Sequence, residues 1–169
     1  MHESSLILGI AGLPPESARN CVQELFPIPS GEFKKSINGD LLFLETTERK
    51  RYKSIITCRD VNSPLVDRIW IGSQITLGCI QNLWQSIHPG SVEVQLIRPA
   101  VEGSICVVNN FGDPIKFSTS DNQVKLYKSY EDVIFVCFRP WLTMCVTDFS
   151  LETDEWKMQC GWKLVLEEI

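Results

Sequence analysis

Apolar residues recur at every second position along several stretches of this chain. The longest stretch is near the C-terminus, where Trp156, Met158, Cys160, Trp162, Leu164 and Leu166 alternate with Lys157, Gln159, Gly161, Lys163, Val165 and Glu167. A period of two is the side-chain period of a β-strand with one buried face, whereas a helix would scatter these residues around its circumference. The spacing predicts a final strand over 155–168, with even-numbered residues facing the core and odd-numbered residues facing solvent or a neighbouring subunit. The register is strict, because a slip of one residue would bury Lys157, Gln159 and Lys163.

The same period appears upstream. Tyr52, Ser54, Ile56 and Cys58 form one row, Ile75, Leu77 and Cys79 a second, and Val92, Val94 and Leu96 a third. Leu142, Met144 and Val146 open a further strand after Pro140. Val133 to Phe138 is continuously apolar and rich in β-branched and aromatic residues, which predicts a strand buried on both faces. Turn chemistry separates these runs. Ser36-Ile37-Asn38-Gly39-Asp40 carries Asn-Gly, the favoured two-residue hairpin turn, before the apolar Leu41-Leu42-Phe43-Leu44. Ile105 to Val108 and Ile115 to Phe117 flank a hairpin-like loop from Asn109 to Pro114. The segment from Glu16 to Phe26 fits helical spacing as well as strand, and Pro14-Pro15 is a suitable helix start. The pattern predicts an all-β fold, mainly an antiparallel sandwich or barrel with at most one short helix, in a single domain over 1–169.

Composition narrows the function. The 169 residues are 44% hydrophobic and carry a formal net charge of −5. That charge argues against a surface built to hold nucleic acid. The basic cluster Arg49-Lys50-Arg51 with Lys53 reads as a solvated strand entry. No apolar run approaches the ~20 residues of a membrane span. His2 and Glu3 precede Leu6 to Leu13 where a signal peptide would carry basic residues, so folding and use in the compartment of synthesis are expected. The seven cysteines, Cys21, Cys58, Cys79, Cys106, Cys137, Cys145 and Cys160, are odd in number and show no C-x-x-C spacing. They read as reduced core thiols in a cytosol, slow to react until the protein unfolds.

Catalytic chemistry finds little to build on. The two histidines are His2, at the terminus, and His88, in the turn sequence Ser86-Ile87-His88-Pro89-Gly90. No nucleophile elbow and no phosphate-cradling glycine loop accompany them. Glu152, Asp154 and Glu155 lack the alternating ligands and glycine of a calcium loop and read as a charged hairpin turn between the last two strands. The chain is therefore expected to have no catalytic residues, no metal and no cofactor. Of the five tryptophans, Trp70 and Trp84 stand near loop-like sequence and are the candidate interface residues; most of the five are expected in the core.

Several phrases together resemble a family of small virion-associated proteins of tailed bacteriophages, encoded among tail and baseplate genes. They are the run from Ser17 to Ile28, the run from Phe33 to Leu41, and Arg51 to Cys58. Ile69-Trp70-Ile71-Gly72, Phe138 to Met144, Asp154-Glu155-Trp156, Trp162 and Leu166-Glu167-Glu168 complete the likeness, which runs across nearly the whole chain. The family usually has Arg-Arg where Lys34-Lys35 stands, and a threonine-rich stretch where Val22 and Glu24 stand, which favours a strand there. The resemblance implies a structural tail or baseplate component, not an enzyme. It would be made and folded in the host cytoplasm and end in the virion tail. Its implied partners are copies of itself, in a homo-oligomeric ring, and neighbouring tail proteins, with neither membrane nor direct nucleic-acid contact. A β-sandwich module binding a carbohydrate or receptor is the first alternative, and a tail-associated hydrolase the second.

Overall fold

The computed structural model describes residues 4–9, 12–46 and 49–169. The fold is all-β. Among the described residues fourteen strands are joined by turns, and the only helical element is a single 3-10 turn, Val66–Arg68. No sheet of the described residues closes into a barrel. The chain divides into two compact units, one of Met1–Ser4, Ile10–Ile75 and Thr143–Ile169, the other of Ser5–Gly9 and Thr76–Leu142.

In the first unit, β2 (Val22–Ile28), β5 (Arg51–Asp60), β14 (Gln159–Glu168) and β13 (Trp141–Asp154) lie side by side in that order, each pair antiparallel. The predicted period-two rows hold from Ser54 to Cys58 in β5 and from Trp162 to Leu166 in β14. Ser54, Ile56 and Cys58 are buried, as are Trp162, Leu164 and Leu166, while Thr57 and Lys163 are exposed. Pro27 is tolerated in β2 because that strand lies at the sheet edge, where its missing N–H costs no ladder bond. The segment left open between helix and strand resolves into both turn and strand. Glu16 sits at φ 60°, Ser17 Oγ bonds back to the Pro14 carbonyl at 2.7 Å, and β2 begins at Val22.

The last strand is shorter than its pattern predicts. It begins at Gln159, and Trp156 and Met158 lie in the hairpin turn, strongly exposed. The reversal needs those residues. The Asp154 carboxylate accepts the Trp156 and Lys157 N–H groups, both at 3.1 Å, and Met158 takes the left-handed conformation at φ 51°. Alternation on the far side of a turn carries no burial, and periodicity alone does not mark where the strand starts. Val165 also departs from the odd-outward rule and is buried. Opposite it lies a bulge between Val146 and Asp148, where the extra residue Thr147 bonds the Val165 carbonyl at 3.2 Å.

The second unit contains a small sandwich. One sheet orders β7 (Leu83–Ile87), β12 (Ile134–Phe138) and β9 (Cys106–Val108); the other orders β10 (Phe117–Ser120), β11 (Gln123–Leu126) and β8 (Glu93–Gln95). Between them Ile87, Leu96, Val107, Val124, Leu126, Ile134, Val136 and Phe138 form one buried cluster. β12 is the central strand of its sheet, as its unbroken apolar run predicts. Asp121 and Asn122, at φ 48° and 62°, make the two-residue turn between β10 and β11. The loop after β9 closes as a hairpin, Asn109 N–H to the Asp113 carbonyl at 3.0 Å. The same unit holds β1 (Ile7–Leu8), paired antiparallel with β6 (Gln74–Gly78). β6 and β13 each run on from one unit into the other.

Candidate interaction surface

β2 and β5 pair along their length, and the chain between them forms a second hairpin, β3 (Gly31–Lys35) with β4 (Leu41–Glu45). This hairpin is a two-stranded sheet, with no third strand among the described residues. The predicted Asn-Gly turn makes it, but with a longer loop than two residues. Ser36 N–H still reaches the Asp40 carbonyl at 2.8 Å, and Gly39 supplies the left-handed position at φ 85°. Gly31 is the other fixed point. A Cβ there would lie 2.0 Å from the Leu44 carbonyl oxygen, so the two backbones meet only because no side chain stands between them.

Register fixes what each face of the hairpin presents. Phe33 opposes Phe43, with ring centroids 4.9 Å apart, and Lys35 opposes Leu41 on the same face. The other face carries Leu42 opposite Lys34 and Leu44 opposite Glu32. Leu41, Leu42, Phe43 and Leu44 are all exposed, Phe33 is 67% exposed, and Ile37 at the tip is wholly in solvent. A soluble two-sided ribbon is normally blunted by charge along its edge. Here charge falls on β3, while β4 offers four apolar residues in a row.

The candidate tryptophans are also in solvent. Trp70, in the loop after the 3-10 turn, is 70% exposed, and Trp84, on the edge strand β7, is 60% exposed. They belong to different units. Trp156 is 96% exposed, and among the five only Trp162 is fully buried, which corrects the expectation that most are core. Turn and edge positions leave a tryptophan uncovered, and sequence alone does not distinguish them from core strands.

Several of the groups considered for chemistry have structural partners. His88 is exposed and its carbonyl closes a turn to Ser91 N–H at 3.0 Å; His2 lies outside the described residues. Glu152 reaches Arg59 at 3.5 Å, Asp154 caps its turn, and among the described residues no three acidic, His or Cys side chains group as metal ligands. Lys53 of the basic cluster pairs with Glu167 at 3.0 Å, and Arg49 donates to the Ile169 carbonyl. Asp60, nearly buried, receives the Arg19 guanidinium at 2.6 Å, the Arg19 N–H at 2.9 Å and the Val61 N–H at 2.8 Å. Burial would push its carboxyl up, but these donors prevail and hold it below the usual carboxylate range. The Phe138-Arg139-Pro140-Trp141 phrase is a structural corner. Arg139 donates to the Cys79 carbonyl at 2.7 Å and to the Ser5 carbonyl, and Trp141 packs where a Gly78 side chain would stand.

Two open depressions lie among the described residues. One of about 210 Å³ lies over Gly161 between Arg59, Glu152 and Lys163, and another of about 270 Å³ lies beside Val101 and Asn122. Both are smaller than the ~300–1,000 Å³ of ordinary small-molecule sites. The fold is all-β and carries an arm whose apolar side chains are exposed. No protein-family model matches the chain, and a search of curated proteins finds no match.

Proposed function

We propose that this chain is a structural component of a bacteriophage tail or baseplate, making subunit and partner contacts near the tail tip. The observation that carries the proposal is the β3–β4 arm. An isolated two-stranded hairpin is marginal in water. One that exposes Leu41 to Leu44, Phe33 and Ile37 gains stability when another chain covers it. Its open β4 edge suits strand addition to a neighbouring subunit, in which backbone bonds supply affinity and the alternating side chains supply fit. Closed rings are built by repeating one such contact around an axis. The resemblance of the Phe33 to Leu41 stretch to phage tail proteins supplies the setting. Mass spectrometry of purified phage particles from the encoding strain tests it: the chain is expected at fixed stoichiometry. Its absence from particles would overturn the proposal.

The exposed tryptophans favour a second reading, a β-sandwich module that stacks a sugar or binds a host receptor. Trp84 on an edge strand is its best anchor. Glycan-array binding that disappears in Trp84→Ala, with no chain in particles, would move the conclusion there.

A further inference from the structure

We propose that two cross-strand cysteine pairs, Cys21–Cys58 and Cys106–Cys137, are oxidation sites that close into disulfides when a low-molecular-weight disulfide is supplied. All seven cysteines are thiols in this structure. Four of them are placed face to face in two independent pairs, one in each unit. Cys106 and Cys137 are directly opposite in the antiparallel ladder of β9 and β12. Opposite residues share a face, and their Cα separation, about 4.5–5.5 Å, lies inside the disulfide range. Cys21 immediately precedes β2, whose first residue, Val22, opposes Thr57; continuing that register sets Cys21 against Cys58. Each thiol shifts the other's proton affinity, in keeping with that placement.

Each pair joins an accessible thiol to a buried one. Cys106 is exposed and Cys137 buried; Cys21 is half-buried and Cys58 buried. That arrangement suits stepwise exchange. The Cys106 thiolate attacks the small disulfide, forming a mixed disulfide and releasing one small thiolate. The Cys137 thiolate then attacks the Cys106 sulfur, closing the protein disulfide and releasing the second. The two protons lost by the cysteines end on the two released thiolates, and the small disulfide is the species reduced. Closure of Cys21 with Cys58 balances in the same way, but there the thiolate is favoured on Cys58 rather than on the more accessible Cys21. Contact with Cys21 pulls the Cys58 thiol down, while the Cys21 proton is held more tightly.

The ladders place other residue types opposite two of the remaining cysteines: Cys145 faces Glu167, and Cys160 faces Thr153 and Asp60. Cys79 is buried behind the Arg139 corner. These three are the internal controls. The inference does not rest on the tail proposal, since it concerns geometry within one chain. The test uses the full chain, reduced, desalted and incubated natively with oxidised glutathione. Alkylation and non-reducing peptide mass spectrometry follow. Two cross-linked peptides are expected, Cys21–Cys58 and Cys106–Cys137, and Cys137→Ser should instead trap glutathione on Cys106. Recovery of Cys106 as a glutathione adduct in the unmutated chain would overturn the assignment for that pair. Cross-links that include Cys79, Cys145 or Cys160, or no closure of either pair, would overturn the whole.

Discussion

The Trp162 indole N–H donates to the Ser17 carbonyl at 2.8 Å, tying the last strand to a turn 145 residues earlier in the chain. Both residues are buried, and Ser17 Oγ is itself bound to Pro14. Trp162→Ala removes a large core ring and this bond together, so a loss of ~3–5 kcal/mol is expected from urea titration. Trp162→Phe keeps most of the ring and leaves the Ser17 carbonyl only the weak Cys58 thiol donor at 3.6 Å, an expected loss of ~0.5–1.5 kcal/mol. Lys163→Ala, on the exposed face, should change stability by roughly 0.5 kcal/mol or less. A larger effect from Lys163 would reverse the face assignment of β14.

Asp60 makes stability sensitive to acid. Its folded-state affinity for a proton is depressed, so its contribution is fully present above the unfolded carboxyl range, about 3.9. It is lost as pH falls through the lower folded value, because the unfolded chain then binds the proton first. Asp60→Ala should destabilise at pH 7 by roughly 1.5–3 kcal/mol, the range of charged hydrogen bonds. The gap between variant and parent should narrow below about pH 4, where the unfolded carboxyl takes up its proton. Denaturation midpoints followed from neutral to strongly acidic pH check this, and a gap independent of pH would remove the carboxylate from the explanation.

Thiol reactivity should divide by burial. The sequence favours seven slow core thiols, because the cysteines sit in apolar segments. In the structure only Cys58, Cys79 and Cys137 are buried, while Cys106 is exposed on an edge strand. Burial also pushes the Cys137 thiol up. Brief labelling with a maleimide at neutral pH should mark Cys106 first and leave Cys58, Cys79 and Cys137 until denaturant is added. Early labelling of Cys137 would contradict the placement of β12.

Legibility in the sequence followed burial. Strands with one wet face and one dry face, β5, β6 and β14, announce themselves because their side-chain period is two and Lys163 or Thr57 cannot go inward. β12 announces itself by having no polar position at all. The arm was legible only as a turn: Asn38-Gly39 marked the reversal, but the apolar run Leu41 to Leu44 looks the same whether it lines a core or stands in solvent. Trp156 shows the same ambiguity, an aromatic on the predicted inner face that ends in a turn. Nor does spacing disclose the cysteine pairs, since Cys21 meets Cys58 and Cys106 meets Cys137 only through the ladder register.

The arm separates stability from assembly. Its strands pair only with each other among the described residues, and its apolar side chains are exposed, so polar replacements remove little from the folded monomer. Leu42→Ser combined with Leu44→Ser, on one face of β4, should leave stability within the roughly 0.5 kcal/mol expected of surface changes. Gly31→Ala acts differently. The new methyl collides with the Leu44 carbonyl and should break the β3–β4 pairing while β2 and β5 stay zipped, since their ladder lies outside the collision. Amide exchange would read this as lost protection from Gly31 to Glu45 alone. Under the proposed function both variants should fail to join particles or rings, because a contact anchored on a few apolar residues loses ~2 kcal/mol or more per anchor. Analytical ultracentrifugation and complementation of a phage lacking the chain would measure that loss. If both variants assemble normally, the arm is not the contact surface, and the exposed Trp70 and Trp84 become the next positions to substitute. If the double serine variant unfolds, the leucines belong to the core and the exposed-arm description fails with it.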